Sequence, residues 1–467
     1  MSTAKKIGLF TLVAFNVGNA IGSGFLATLP QGIALIGPGV LYAWLAAAVM
    51  QIFLNLPSII PSSSLPCPAS AYTLQCRLIH PAVGYLEVTS ILYYIVVLTV
   101  MSTFFADYLD ALVPGIPKMA VSIGIILLFW LINLRGVQSG TAVQNVIVVT
   151  LMISLAVYVV TGVPHIDGAL LTASDLFLPP NITFTAFCTV LAMFYSCVNG
   201  CFDGCLDLAD QIKNPRKNLI RAGCLSALCV CALYCAVSVV TCGITDWRAG
   251  VPVLSDLAKA FMPRGLWYLF MIGGAMFAIL STINAMVLSV GYRLGTMAGD
   301  KVFPAVFNRT CRFGTKPLCL SVPAVAAIVV VVFQLPMGSL IALCGVLCIL
   351  SALLRLLPLI PLPKRYPHTY RRAFLHPAQP LIYLWLSVGA VICVAVSIST
   401  IITTAGSVWW MAFGTLVGLY VYFILRLFYL KGKGIDLFAA MRTPYPEWEQ
   451  REEAFRLDDE GTPSNQD

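Results

Sequence analysis

The chain has 467 residues, of which 59% are hydrophobic and only 10% charged, with a formal net charge of +8. A water-soluble globular protein carries about 25% charged and 45–50% apolar residues, so this composition argues against a soluble fold and makes the lipid bilayer the expected solvent. Its 16 cysteines lie mostly in apolar segments, for example Cys224, Cys229, Cys231 and Cys235, where a thiol behaves as a small hydrophobe; no CxxC pair has a matching His or second pair, so zinc is not expected.

Residues 1–6 read as a cytoplasmic N-terminus. Lys5 and Lys6 precede an apolar run, but the run exceeds twenty residues and lacks a small-residue cleavage site, so it reads as a retained first span. Apolar segments of about 20 residues are candidate membrane helices. Twelve are expected, at 7–30, 38–60, 83–109, 119–134, 141–163, 184–210, 219–243, 265–297, 319–335, 338–360, 380–402 and 406–430. The joints carry Pro, Gly or charge, as in Pro114-Gly115, Pro164 and Lys213-Asn214-Pro215. Asn181-Ile182-Thr183 matches a glycosylation sequon. The loop Asp246 to Pro263 has helical character and is expected to lie as a short surface helix. The charged tail 431–467 is expected to be cytoplasmic and disordered.

Lys and Arg favour cytoplasmic loops. With the N-terminus inside, every Lys and Arg falls on the cytoplasmic side except Lys118, Arg248, Lys259 and Arg264. Both termini are then cytoplasmic, in an integral, multi-pass protein expected in the plasma (inner) membrane.

The first span is interrupted. Residues 17–25 read VGNAIGSGF, poor material for a helix interior, where Gly costs about 1 kcal/mol against Ala. The sixth span has a matching stretch, Tyr195 to Cys205, with Asn199, Gly200, Gly204 and the carboxyl of Asp203. In lipid, freed backbone groups are tolerated only where they line a cavity. Two interruptions five helices apart place a second copy of one unit in the opposite orientation, and such a pair points to a transporter's binding site. Half-helix N-termini suit a carboxylate, and freed carbonyls suit an ammonium group. Gly18 and Gly22 also fit small-xxx-small packing; the second interruption in register favours broken helices. The fold expected is therefore all-α, with a first five-helix repeat over 7–163, a second, inverted one over 184–360, and helices 11 and 12 over 380–430.

With these residues in view, the sequence resembles the amino acid–polyamine–organocation superfamily of transporters. Gly22-Ser23-Gly24 is similar to the helix 1 signature. Phe202-Asp203-Gly204 through Asp210-Gln211-Ile212-Lys213-Asn214-Pro215-Arg216 resembles the block that closes helix 6. Ser281 to Asn284, Arg293 and Asp300 to Pro304 resemble the helix 8 pattern. The resemblance covers residues 5 to about 430. It implies a LeuT-type fold of two inverted five-helix repeats plus two helices. It implies a substrate carboxylate at the N–H groups of Ser23 and Gly24, beside Gly22. It implies an α-amino group at carbonyls near Asn19, Ala20 and Ile21 and near Val198, Asn199, Gly200 and Cys201, with Tyr93 or Tyr94 bordering the site. The chain departs from the pattern at Cys201, Gln211 and Ile220, and helix 5 has no Lys or Arg.

The missing helix 5 lysine raises the question of a coupling ion. In sodium-coupled relatives of the fold, helix 1 carbonyls and helix 8 oxygens hold the ion; Gly18 and Ile21 match on helix 1, and Ala278, Ser281 and Thr282 on helix 8. A proton on Asp203, or exchange without an ion, are the alternatives. Asp203 has three readings: proton carrier, contact for a cationic substrate, or partner for freed backbone. Asp207 and Asp210 are expected to face Lys213, Arg216 and Lys217, with Glu87 joining them. The central region then holds one carboxylate and no Arg or Lys, which favours neutral or cationic amino acids, with a polyamine or organic cation as the alternative. A membrane enzyme is disfavoured by four scattered histidines and no nucleophile motif. A non-transporting amino-acid receptor remains a further reading. No cofactor, no nucleic acid and no disulfide-linked subunit are expected, and the chain is expected as a monomer or homodimer.

Overall fold

The computed structural model describes residues 6–168, 170–171, 183–248, 250–334, 352–403 and 406–461. The sequon at Asn181 and most of the tenth expected span lie outside the described residues. The described chain is helical throughout, with one isolated bridge in which Ile7 pairs with Ile212.

Helix α1 (Leu9–Ala20) ends where Ile21 and the extended Gly22 leave helical geometry, and α2 (Ser23–Ile36) begins immediately after. Gly37 turns the chain at φ +53°, with the Trp247 ring 2.9 Å from where a Cβ would stand. Only glycine fits both the backbone and the space. Then follow α3 (Val40–Ser64), α4 (Val88–Leu112), α5 (Lys118–Leu134) and α6 (Val137–Gly162). Helix α7 (Phe184–Val198) gives way to a 3-10 turn at Asn199–Phe202 and the short α8 (Asp203–Asp207), and the two segments are bent by 45°. The remainder comprises α9 (Pro215–Ile244), α10 (Leu254–Phe261), α11 (Phe277–Gly299), α12 (Pro317–Val332), α13 (Gln379–Thr403) and α14 (Gly406–Lys431).

Among the described residues, six helical stretches are long and apolar enough to cross a membrane, and seven if the bent pair is one span. Four further apolar helices are shorter, among them α1, α5 and α12. A broken helix divides its apolar length between two halves, so neither half alone reaches about 20 residues.

The surface distribution inverts that of a soluble protein. On α14, Trp410, Phe413, Leu425 and Phe428 are exposed, while Asn16, Gln51, Gln144 and Asn284 are fully buried. Apolar residues facing outward and polar ones turned inward are what hydrocarbon demands. Aromatic rings join α2, α3, α7 and α9: Trp44 stacks on Phe194 at 3.6 Å and Phe25 on Tyr234 at 3.8 Å between ring centres. The loop expected to carry a surface helix does so in α10, which buries Leu254, Leu257 and Ala258.

The tail corrects the expectation of disorder. Residues after α14 form α15 (Leu437–Arg442) and α16 (Pro446–Gly461). Composition suggested a solvated charged segment, but three aromatic residues anchor it. Trp448 is only 2% exposed, against Tyr366 and Tyr445. Phe455 receives the guanidinium groups of Arg216 and Arg372. Glu452 accepts from the backbone N–H groups of His368 and Thr369 at 2.9 and 2.8 Å, and Arg451 donates to the Ser64 carbonyl at 3.2 Å. The N-terminus docks at the same end: Ile7 N–H donates to Gln211 O at 2.8 Å.

Trp448→Ala should remove the anchor at about 3–5 kcal/mol and expose α16 to protease while the bundle stays resistant; limited proteolysis reads this. The outer end of α16 should loosen with acid. Hydrogen bonds from His368 and Arg372 hold the Asp459 carboxyl below its ordinary range. A carboxyl depressed in the folded state contributes stability above its unfolded value and loses it as pH falls through the folded one. Tail cleavage should therefore rise only below the ordinary carboxylate range.

Candidate transport site

The two interruptions touch. A Cβ placed on Gly200 would lie 2.5 Å from the Asn19 carbonyl carbon and oxygen and 2.7 Å from the Ala20 nitrogen. The 3-10 turn between α7 and α8 thus crosses the end of α1 backbone to backbone, an approach only glycine permits. Asn19 bridges the two breaks, its amide donating to Gly200 O at 3.4 Å and to Asp203 Oδ2 at 3.2 Å. Gln51 on α3 donates to the Asn199 carbonyl at 2.9 Å. Two carbonyls released by the sixth helix are therefore capped by side-chain amides, which is how freed backbone is tolerated away from water.

At the first break, Gly22 N–H turns back to Ala20 O at 3.0 Å. The first-turn N–H groups of α2, from Ser23 onward, have no carbonyl four residues back, and no side chain caps the helix at Gly22. They form the positive end of a 14-residue helix. Gly24 faces the thiol of Cys197 across 3.8 Å of the space a Cβ would fill.

Tyr93, Tyr94, Asn199 and Asp203 line one small hollow of about 30 Å³, with Tyr195, Ser90 and Arg355. It has room for about one water molecule, so the breaks are closed around it. The side chains of Ile21, Val198 and Cys201 pack instead into the apolar core, leaving only their backbone to meet a ligand. A larger cavity of about 530 Å³ opens further along α11, beside Gly291, Gly295, Asp210 and Lys316.

Of the candidate ion ligands, four come together. The Ser281 hydroxyl lies 2.8 Å from both the Gly18 and Ala278 carbonyl oxygens, and the Thr282 hydroxyl 3.4 and 3.1 Å from the same pair. Thr282 Oγ1 is also 3.2 Å from the Cβ position of Gly22. Ile21 enters none of these contacts. Among the described residues no cluster of His, Cys, Asp and Glu could hold a metal ion.

The charged groups correct the sequence-based expectation. The centre contains two arginines. Arg355 reaches Asp203 at 3.2 Å and Glu87 at 3.4 Å. Arg293 reaches Asp207 at 2.6 Å and Glu87 at 3.5 Å, and donates to Tyr94 OH at 2.9 Å. Asp207 therefore pairs with Arg293 rather than with Lys213, Arg216 or Lys217, and Asp210 accepts from Tyr292 OH at 2.9 Å. Arg293 and Arg355 sit near the ends of their helices, where a count of loop charges absorbs them. The usable signal was an arginine inside the apolar run Leu353 to Leu357, since an ionisable residue in a span implies a partner.

An apolar helical bundle whose two broken members meet beside a buried polar hollow has the form that a membrane transport protein requires. The amino acid permease family pattern matches residues 7–427, and the chain belongs to that family. It is similar to the cadaverine/lysine antiporter of Escherichia coli, 24% identical over 77% of this chain and 82% of the relative. It is also similar to the methylthioribose transporter of Bacillus subtilis, 24% identical over 66% of this chain and 70% of the relative. A third relative, the branched-chain amino acid permease BcaP of Lactococcus lactis, is 26% identical over 55% of this chain and 63% of the relative. These relatives and the family are transporters, not enzymes.

Proposed function

We propose that the chain carries amino acids by alternating access, on a twelve-helix LeuT-type frame of two inverted five-helix repeats. The observation that carries the reading is the backbone contact of Gly200 with Asn19 and Ala20, which joins the two interruptions into one polar locus. The substrate carboxylate meets the N–H groups of Ser23 and Gly24. Its ammonium group lies toward the helix 6 break, beside Asn199, Asp203 and the tyrosines. Asp203 already holds Arg355 and Asn19, which favours a neutral amino acid over a lysine-like or diamine substrate; the latter must displace Arg355. The two termini meet the same end of the bundle, in keeping with both being cytoplasmic.

Uptake into proteoliposomes with labelled leucine, lysine and cadaverine, each tested in counterflow, sodium gradient and pH gradient, tests the reading. Leucine exchange is expected; exchange of none of these probes overturns it. The oxygens of Gly18, Ala278, Ser281 and Thr282 are the sodium candidate. Ser281→Ala with Thr282→Ala should then abolish sodium stimulation of uptake, and stimulation that survives removes that site.

A further inference from the structure

The buried charges form a single alternating chain: Asp207, Arg293, Glu87, Arg355, Asp203. Three carboxylates face two guanidinium groups. Glu87 and Asp207 are fully buried and Arg293 is 1% exposed. Among the described residues no second cation comes within ion-pair distance of Asp203 or Asp207, and residues 335–351 contain no charged residue at all. The chain is thus one positive charge short, in a place where an unmatched charge costs several kcal/mol.

The oxygens at the two ends are not equivalent. Asp203 has both engaged, Oδ1 by Arg355 and Oδ2 by Asn19. Glu87 has Arg355 and Gln75 on Oε1 and Arg293 and Ser90 on Oε2. Asp207 gives Oδ1 to Arg293, while its Oδ2 is buried and makes no hydrogen bond within 3.5 Å, with the Ser289 hydroxyl facing the carboxyl. A buried oxygen without a close hydrogen bond, at the end of a chain with more carboxylates than cations, is suited to hold a proton.

We propose that Asp207 Oδ2 binds the coupling proton of the transport cycle. This rests on the transport reading above, and it puts the proton one helical turn along from Asp203, the proton carrier among the alternatives that the sequence alone offered. The groups that face Asp207 are Arg293 and Ser289 from α11, Tyr94 from α4, and Asp203 on its own element, while Glu87 and Ser90 stand on the far side of Arg293 and bond to it. Beyond them, Arg77 and Asp300 neutralise each other at 3.0 Å, and Asp210 binds Tyr292. The step is simple: an O–H bond forms at Oδ2 with a proton taken from water on one side of the membrane and breaks to water on the other. No electrons move. With the proton in place, the five groups are neutral and the helices that carry them close. Without it, one carboxylate is unmatched and must reach water, which parts α8 from α11 and opens the end of the bundle where the termini dock.

The test uses the full chain in sealed proteoliposomes, with the membrane potential clamped at zero and a pH-sensitive dye inside. Labelled leucine and lysine are the probes, and counterflow first establishes carriage. An acid-outside gradient should then raise limiting accumulation about tenfold per pH unit for one proton per substrate, with matching acidification of the lumen. The infrared spectrum should contain the C=O band of a protonated carboxyl. Asp207→Asn should lose that band and the gradient dependence, whatever exchange rate remains, and Asp207→Glu should keep both. Counterflow that is indifferent to the pH gradient in the unmodified protein, or a band that persists in Asp207→Asn, overturns the proposal. If Asp207→Asn fails to fold, Asp203→Asn decides: the protonated-carboxyl band should survive that change, and its loss there overturns the proposal. If neither probe exchanges, the substrate reading falls, and the infrared band tests the proton site by itself.

Discussion

Arg293→Met should destabilise the protein by about 3–5 kcal/mol, the cost of leaving buried carboxylates without their partner. Arg293 links Asp207 to Glu87 in the charge chain. It joins Asp207 on α8 to Glu87, at the N-cap of α4, and to Ser90 and Tyr94 on α4, and its guanidinium lies over the Tyr94 ring at 4.7 Å. Methionine keeps most of the volume and supplies no donor, so Asp207 and Glu87 both lose a cation. Thermal unfolding in detergent should show a midpoint several degrees lower. Adding Asp207→Asn to Arg293→Met should recover part of the loss, because one of the stranded charges is gone, and the double-mutant cycle measures that coupling. A midpoint unchanged in Arg293→Met would show that the pair is not formed in the membrane.

Gly200→Ala is the second large effect. The added methyl would stand 2.5 Å from the Asn19 carbonyl, a distance that must be relieved by moving backbone rather than a flexible side chain. Overpacking of this kind costs about 1–3 kcal/mol or more, and here it wedges the two broken helices apart. Uptake should fall at least tenfold while the amount of protein in the membrane changes little. Gly414→Ala on α14, where nothing lies within 4 Å of the new methyl, is the matched control and should leave uptake unaltered.

How much of this was legible in the sequence depends on where each feature is encoded. The interruptions at Gly22 and at Asn199–Gly200 are local: glycine and asparagine clusters inside apolar runs declare them, and so does the helical patterning of Leu254 to Phe261. The tail was misread because its acids and bases outnumber its anchors, and only packing reveals that Trp448, Tyr445 and Phe455 decide its fate. The charge chain was invisible for a different reason. Arg293 and Asp207 are 86 residues apart, and Arg355 and Glu87 268 apart, so no spacing rule brings them together. The capping of Asn199 and Gly200 by Gln51 and Asn19 is likewise tertiary. Sequence shows where backbone is released; the fold shows that the side-chain amides of Asn19 and Gln51 already occupy part of it.

The most direct test is a density map of the full chain in lipid nanodiscs, saturated with the amino acid that gives the strongest counterflow. The account predicts both helices interrupted at Gly22 and Gly200, with ligand density between the N–H groups of Ser23 and Gly24 and the side chains of Asn199 and Asp203. Helices that run unbroken through those glycines, or ligand density seated wholly in the cavity beside Gly295 and Lys316, would contradict it.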